Sequence, residues 1–225
     1  MKKSELKENI TKIEQVINSD NYEAGFQLLI TINDSSLNAA MDDLIHTTLR
    51  KKYFGEDRSK EGLDILSILF PKLTNLNLYH CESLKDLQVL SVFTDLMSLS
   101  LTCYEIPNIN SIGKCKHLLT LSLSCCYALQ NLKGLTTLSK LTSLDLSWCK
   151  SLLDVDDLSN LKNLTSLSLR CCYELQNVDG LANLTNLTSL NLIGCDKVQP
   201  EPSKEEMTSR KEVAAYQKEI KKSMK

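Results

Sequence analysis

The spelling LxxLxLxxC returns six times, opening at Leu73, Leu96, Leu118, Leu141, Leu164 and Leu187 with spacings of 23, 22, 23, 23 and 23 residues. A unit that short cannot bury its own apolar face. It must lean on a copy of itself, so a fixed period of this size predicts a solenoid in which each coil touches only its neighbours. In the second copy one residue is lost from the turn, and Cys103 follows the leucine pair one place early.

Within a repeat the alternation at positions 3 to 7, as in Leu144 and Leu146 around Asp145, predicts a strand with leucines inward and positions 3, 5 and 7 outward. The shift at position 9 puts a cysteine under the turn that follows (Cys81, Cys126, Cys149, Cys172 and Cys195). A buried bend leaves backbone groups in need of partners, and cysteine is a compact apolar residue with a weak S–H donor. Apolar residues then return every third position, as in Leu129, Leu132, Leu135 and Leu138, a step that suits short 3₁₀ turns on the opposite side. Gly134 and Gly180, with Asp157 at the equivalent place between them, mark a tight bend there. The buried aliphatic chains, worth roughly 1.5–3 kcal/mol each, account for the leucine pattern by stacking alone.

A cut solenoid exposes its apolar layer, so both ends call for caps. Residues 1–55 show three amphipathic helical patterns and are expected to form a helical N-terminal cap, against the alternative of a helical domain with its own partner. Residues 56–199 are the solenoid: a polar loop at 54–60 leads into a partial first coil through Leu63, Leu66, Leu69 and Phe70, and the six repeats follow. Residues 200–225 follow Pro200 and Pro202, where Ser203 and Glu206 have the form of a capping box opening a helix through Met207, Val213, Tyr216, Ile220 and Met224. That helix either caps the solenoid or projects as a tail.

The chain has 225 residues, 42% of them hydrophobic and 24% charged, which excludes disorder throughout. Its net charge of −2 and the lack of a basic stripe in the repeats argue against a nucleic-acid partner or an anionic membrane. No window approaches the roughly 18 apolar residues of a membrane helix. The N-terminal stretch MKKSELKENITKIEQVINSD lacks the apolar run of a signal peptide. The nine cysteines are placed by the repeat and not by pairing. Together these features predict reduced thiols and a cytoplasmic location, in the producing cell or in a cell into which the chain is delivered. Five Asn-x-Ser/Thr sequons, at Asn9, Asn33, Asn163, Asn183 and Asn186, are then expected to stay bare.

Catalytic signatures are missing: the seven glycines form no phosphate-cradling loop, and there is no CxxC or HExxH. The expectation is therefore a non-enzyme with no cofactor and no metal. In the doublets Cys125–Cys126 and Cys171–Cys172 the first thiol falls at position 8, with Trp148 between the two doublets. At roughly 5 Å per coil, Cys125 and Cys171 stand too far apart for a disulfide.

The LxxLxLxxC register, together with an apolar residue three places beyond its cysteine, resembles the leucine-rich repeats of cytosolic plant resistance proteins and of bacterial proteins with short convex sides. The resemblance implies an α/β solenoid: a right-handed coil with a parallel sheet on its concave side, a short 3₁₀ or helical convex side, and a partner bound on the concave face. Positions 3 and 5 of the sheet are mostly small and polar. The larger side chains Tyr79, His80, Tyr104, Tyr127, Trp148, Arg170 and Tyr173 collect at the C-terminal ends of the strands, with Asp145 set to pair with Arg170 across adjacent strands. Trp, Tyr and Arg are the types enriched in binding hot spots, while tyrosines after a turn also stack on neighbouring coils for stability; both readings are open. The expected function is a monomeric, non-catalytic interaction module for a protein or peptide, as an adaptor, an inhibitor or an effector. The alternative is a structural or regulatory protein whose N-terminal helices carry the partner contact.

Overall fold

The computed structural model describes residues 73–78 and 87–224, together with Glu8, Thr11, Lys12 and Gln15, four helical residues near the N-terminus. The expected N-terminal helical cap beyond these four residues, its expected boundary near residue 55 and the expected partial coil before Leu73 lie outside the described residues.

Among the described residues, seven strands form one sheet in chain order. They are β1 (Asn75–Leu78), β2 (Ser98–Leu101), β3 (Thr120–Ser122), β4 (Ser143–Asp145), β5 (Ser166–Ser168), β6 (Ser189–Asn191) and β7 (Glu206–Met207). The first six pair in parallel, and the register sets Leu76, Leu99, Leu121, Leu144, Leu167 and Leu190 side by side in one inward column. This is the alternating pattern of the repeat expressed as packing, with this column and a second, through Leu78, Leu101, Leu123, Leu146, Leu169 and Leu192, buried under the sheet and the intervening small polar residues on its outer face. Sequential parallel strands, each followed by a return on the other side, make an α/β solenoid of the leucine-rich-repeat kind.

The returns are 3₁₀ turns at Gln88–Val92, Asn110–Lys114, Lys133–Leu135, Asp156–Leu158 and Asp179–Leu181. Their apolar residues at steps of three point inward, so Leu129, Leu132, Leu135 and Leu138 are all buried, as are Leu152, Val155, Leu158 and Leu161. Coils meet most closely at one place: a Cβ on Gly134 would lie 2.1 Å from the Ile109 carbonyl oxygen, and one on Gly180 2.1 Å from that of Val155. Asp157 occupies the same place in the coil between, and its carboxylate instead accepts the Leu132 N–H at 3.1 Å. Asn163 and Asn186, two of the sequon asparagines, donate their side-chain amides to the carbonyls of Ser139 and Lys162 in the coil before, each at 2.8 Å.

The C-terminal end departs from the sequence expectation. Glu206 and Met207 do not enter a helix; they form β7, antiparallel to β6, and cover that edge of the sheet. The helix runs from Arg210 to Ser223 with Ser209 as its N-cap, so the operating capping box is Ser209 and Glu212 instead of Ser203 and Glu206. Six residues of added strand and turn separate the two, and burial of Met207 against the last coil decides between them. Val213, Tyr216 and Ile220 of the helix are buried, Gln217 donates to the carbonyls of Leu181 and Leu184 at 2.8 and 3.0 Å, and the Tyr216 hydroxyl donates to the Pro200 carbonyl at 2.6 Å.

Candidate functional site

The strand end is where this chain departs from simple stacking. After β3, β4 and β5 the backbone N–H at position 8 still bonds laterally to the next coil: Cys125 to the Ser147 carbonyl, Trp148 to that of Arg170 and Cys171 to that of Ile193, at 2.7–2.8 Å. Position 8 then turns the chain through the left-handed region, with φ of 60° at Cys125, 66° at Trp148, 58° at Cys171 and 74° at Gly194. For residues with a Cβ this conformation costs roughly 1–2 kcal/mol, and it is least expected of a bulky side chain. Sequence reasoning put position 8 on the rim and missed its conformation. The signal was Gly194, a glycine where the three preceding coils carry Cys, Trp and Cys.

The turn drops position 9 into the core. Cys149, Cys172 and Cys195 donate their S–H groups to the carbonyls of Leu123, Leu146 and Leu169 in the preceding coil, at 3.4, 3.2 and 2.9 Å. These are the bend carbonyls that the cysteines were expected to serve. Burial pushes the Cys126 thiol up to about 11 and Cys149 well above the ordinary value, which keeps both protonated and unreactive.

Position 10 returns to the surface, and here, with Trp148 of position 8, the structure assembles four of the eight residues singled out in the sequence. The rings of Tyr104 and Tyr127 stack in adjacent coils, centroids 4.8 Å apart and planes 4° from parallel. The Lys150 ammonium continues the column at 4.2 Å from the Tyr127 ring and 5.8 Å from the Trp148 ring. Trp148 in turn meets Tyr173 edge-on at 5.8 Å and 86°. Tyr104, Tyr127 and Trp148 are half-buried in this row, whereas Tyr173 is exposed. The tyrosines therefore pack on neighbouring coils, while the C-terminal end of the row is presented to solvent. Lys150 was not among the expected site residues, although its register position, the same as that of Tyr127 and Tyr173, places it there.

Asp145 and Arg170 do not pair. The Asp145 carboxylate accepts the Ser147 N–H at 2.9 Å and the Ser147 hydroxyl, whose oxygen lies 2.8 Å from that of Ser168. The backbone two residues along offers Asp145 a nearer and better-placed partner than a flexible guanidinium one strand away. Arg170 is exposed beside Trp148 and Tyr173 and has no ion-pair partner among the described residues. Hydrogen bonding to Cys171 raises the Tyr173 phenol above its ordinary value, with burial and Asp196 acting the same way and Arg170 opposing them. Tyr79 and His80, the remaining expected site residues, lie outside the described residues, as does Cys81. Among the described residues no group of three His, Cys, Asp or Glu side chains is arranged to hold a metal ion, and no helix is long and apolar enough to cross a membrane.

No family model matches the chain, and no curated protein matches it. Solved structures do. The leucine-rich repeat domain of the type III effector XopL is 19% identical, with a TM-score of 0.50 over 86% of this chain and 72% of that one. The internalin InlF of Listeria monocytogenes is 24% identical over 60% of this chain and 51% of its own, with a TM-score of 0.43. The internalin InlC2 of the same organism is 18% identical over 58% and 74%, with a TM-score of 0.34. The chain thus spans about half the length of the InlF structure that it matches. The XopL likeness is one of fold, and it agrees with the parallel register, the inward leucine column and the 3₁₀ returns: the chain has the leucine-rich-repeat fold.

Proposed function

We propose that this solenoid is a non-catalytic protein-binding module whose partner, a protein or peptide, crosses the concave sheet face and is anchored on the aromatic edge at Tyr104, Tyr127, Trp148, Arg170 and Tyr173. The observation that carries the reading is Trp148. A tryptophan at φ 66°, at a turn position that glycine fills two coils further on, keeps a conformational cost that glycine would avoid. Strain of this kind collects where a side chain is needed for something other than stability. The row supplies large, rigid aromatic surface with cations beside it, the composition of an interface anchor, and the small polar sheet face beside it offers hydrogen bonds to an extended chain. An adaptor in the producing cell and an effector delivered into a host cell are both settings that such a module fits, with the monomer as the acting unit.

The test is a pull-down with partners identified by mass spectrometry, followed by titration of the partner found. Trp148→Ala is expected to change folding stability by no more than about 1 kcal/mol, as surface changes do, and to weaken the partner roughly thirtyfold or more, as truncation of a hot spot does. Early unfolding of the variant would make Trp148 a packing residue. Unchanged affinity would move the site off this edge, with residues 1–55 next to be tested by deletion.

A further inference from the structure

We propose that the partner's anchor is acidic: a peptide segment bearing an aspartate or glutamate carboxylate, received by Arg170 with Lys150 as a second cation, and with an adjoining apolar side chain seated against Trp148 and Ile193. This rests on the reading of the edge as the binding site and specifies what that edge takes.

The argument begins from what is left over after the protein has satisfied itself. Across β2 to β6 the outward side chains at positions 3, 5 and 7 are neutral except for Asp145 and Arg170. Asp145 is drawn down onto the backbone and hydroxyl of Ser147, within its own strand end. Arg170 is left exposed with no counter-ion among the described residues.

Its surroundings are unusual for a solvated surface arginine. The coil before presents Trp148, whose N–H bonds to the Arg170 carbonyl, and the coil after presents Ile193, whose carbonyl accepts the Cys171 N–H. Along the coils Arg170 therefore has two apolar neighbours, one of them the strained tryptophan. A planar, weakly hydrated cation flanked by apolar surface is suited to a carboxylate, which it can grip with two parallel hydrogen bonds. Lys150, held over Tyr127 and near Trp148, places a second ammonium one coil away. On the far side the acidic groups bound the site: Asp196 lies beyond Tyr173, and Glu174 is paired with Lys197 at 2.6 Å. With a net charge of −2, the whole molecule has no general attraction for anions, so any acidic preference must come from this patch.

Trp148 is the only tryptophan in the chain, so its fluorescence reports this site directly. The probes are two pools of end-blocked octapeptides of matched hydrophobicity, one built from Asp, Glu, Leu and Gly and the other from Lys, Arg, Leu and Gly, titrated into the full chain. The acidic pool is expected to shift the Trp148 emission and the basic pool to leave it unchanged. For the tightest acidic peptide recovered, Arg170→Gln should weaken binding about tenfold, the size of one charge-assisted pair, and Lys150→Gln about threefold. Arg170→Glu should transfer the preference to the basic pool, and affinity for the acidic peptide should fall as salt is raised. Equal response to both pools, or an acidic peptide whose affinity survives Arg170→Gln yet is lost in Trp148→Ala, overturns the acidic anchor while leaving the aromatic edge in place. If neither pool perturbs Trp148 and a partner from the pull-down binds Trp148→Ala normally, the reading of the edge as a binding site fails along with it.

Discussion

Position 8 and position 9 of the repeat show how one backbone turn gives adjacent residues opposite roles. Position 8 bears the left-handed turn and lies at the rim, with Cys125 and Trp148 half-buried and Cys171 covered; position 9 enters the core and donates its thiol to a carbonyl of the coil before. If the left-handed backbone at Trp148 is a real cost, Trp148→Gly should be more stable than Trp148→Ala by about 1 kcal/mol in urea denaturation, because glycine alone adopts that φ freely. Equal stability would show that the turn is unstrained. The buried thiols make a second prediction. Cys115 and Cys126 are raised by burial from 9.0 to about 11 in the folded chain. Protons are therefore held more tightly folded than unfolded, so this contribution to stability is full below pH 9 and is lost as pH rises towards 11. Urea midpoints measured from pH 8 to 11 should fall in the wild-type chain and fall less steeply in a Cys115→Ala, Cys126→Ala variant; parallel curves would remove the thiols from the account.

The C-terminal helix shows the same dependence on context at the scale of an element. It begins where Ser209 accepts the Glu212 N–H, while the Glu212 carboxylate accepts from the Ser209 hydroxyl and the Thr208 N–H and pairs with Lys204. The bond from Lys204, followed by those from Ser209 and Thr208, holds the Glu212 carboxyl at about 2 instead of 4.5. A depressed carboxyl stabilises the fold above its unfolded value, and the contribution is lost as pH falls from about 4.5 towards 2. Hydrogen exchange of the amides in 210–223 should accelerate across that window, and Glu212→Gln should flatten the dependence. Ser209→Ala should cost about 1 kcal/mol, as loss of an N-cap does; no change in either measurement would mean that the helix is held by its buried face alone.

For the whole molecule, the open question of a stack is what closes its ends. At the C-terminal end, β7 pairs with β6, and the helix lays Val213, Tyr216 and Ile220 on the last coil. Removing residues 203–225 would uncover Leu190 and Leu192 and strip four buried side chains, Met207 included, from the core. At roughly 1.5–3 kcal/mol for each, the truncated chain is expected to lose at least about 5 kcal/mol and to aggregate or unfold without a single cooperative transition. A monomeric truncation with an unchanged melting curve would make the segment an appendage. Because coils couple only to their neighbours, the loss should propagate from the β6 end, and exchange should be fastest in β6 and β5.

What the sequence determined by itself was whatever the period dictates. Alternation within five residues sets the strands, steps of three set the 3₁₀ turns, and a one-place shift sends cysteine under the bend, because burial on one face of a short repeat is legible from spacing alone. The residues of the aromatic edge were legible for the same reason, since a fixed register stacks like positions into columns. The tertiary structure decided what depends on competition between partners. Ser203 with Glu206 and Ser209 with Glu212 are equivalent as local caps, and only the pairing of β7 with the exposed edge of β6 selects the second. Asp145 had both Arg170 and Ser147 within reach of its strand end, and the partner fixed by the backbone prevailed over the flexible one. The left-handed backbone at Trp148 follows from closing the turn while its N–H stays bonded to the next coil, a demand made by the neighbour and absent from the tryptophan's own propensity.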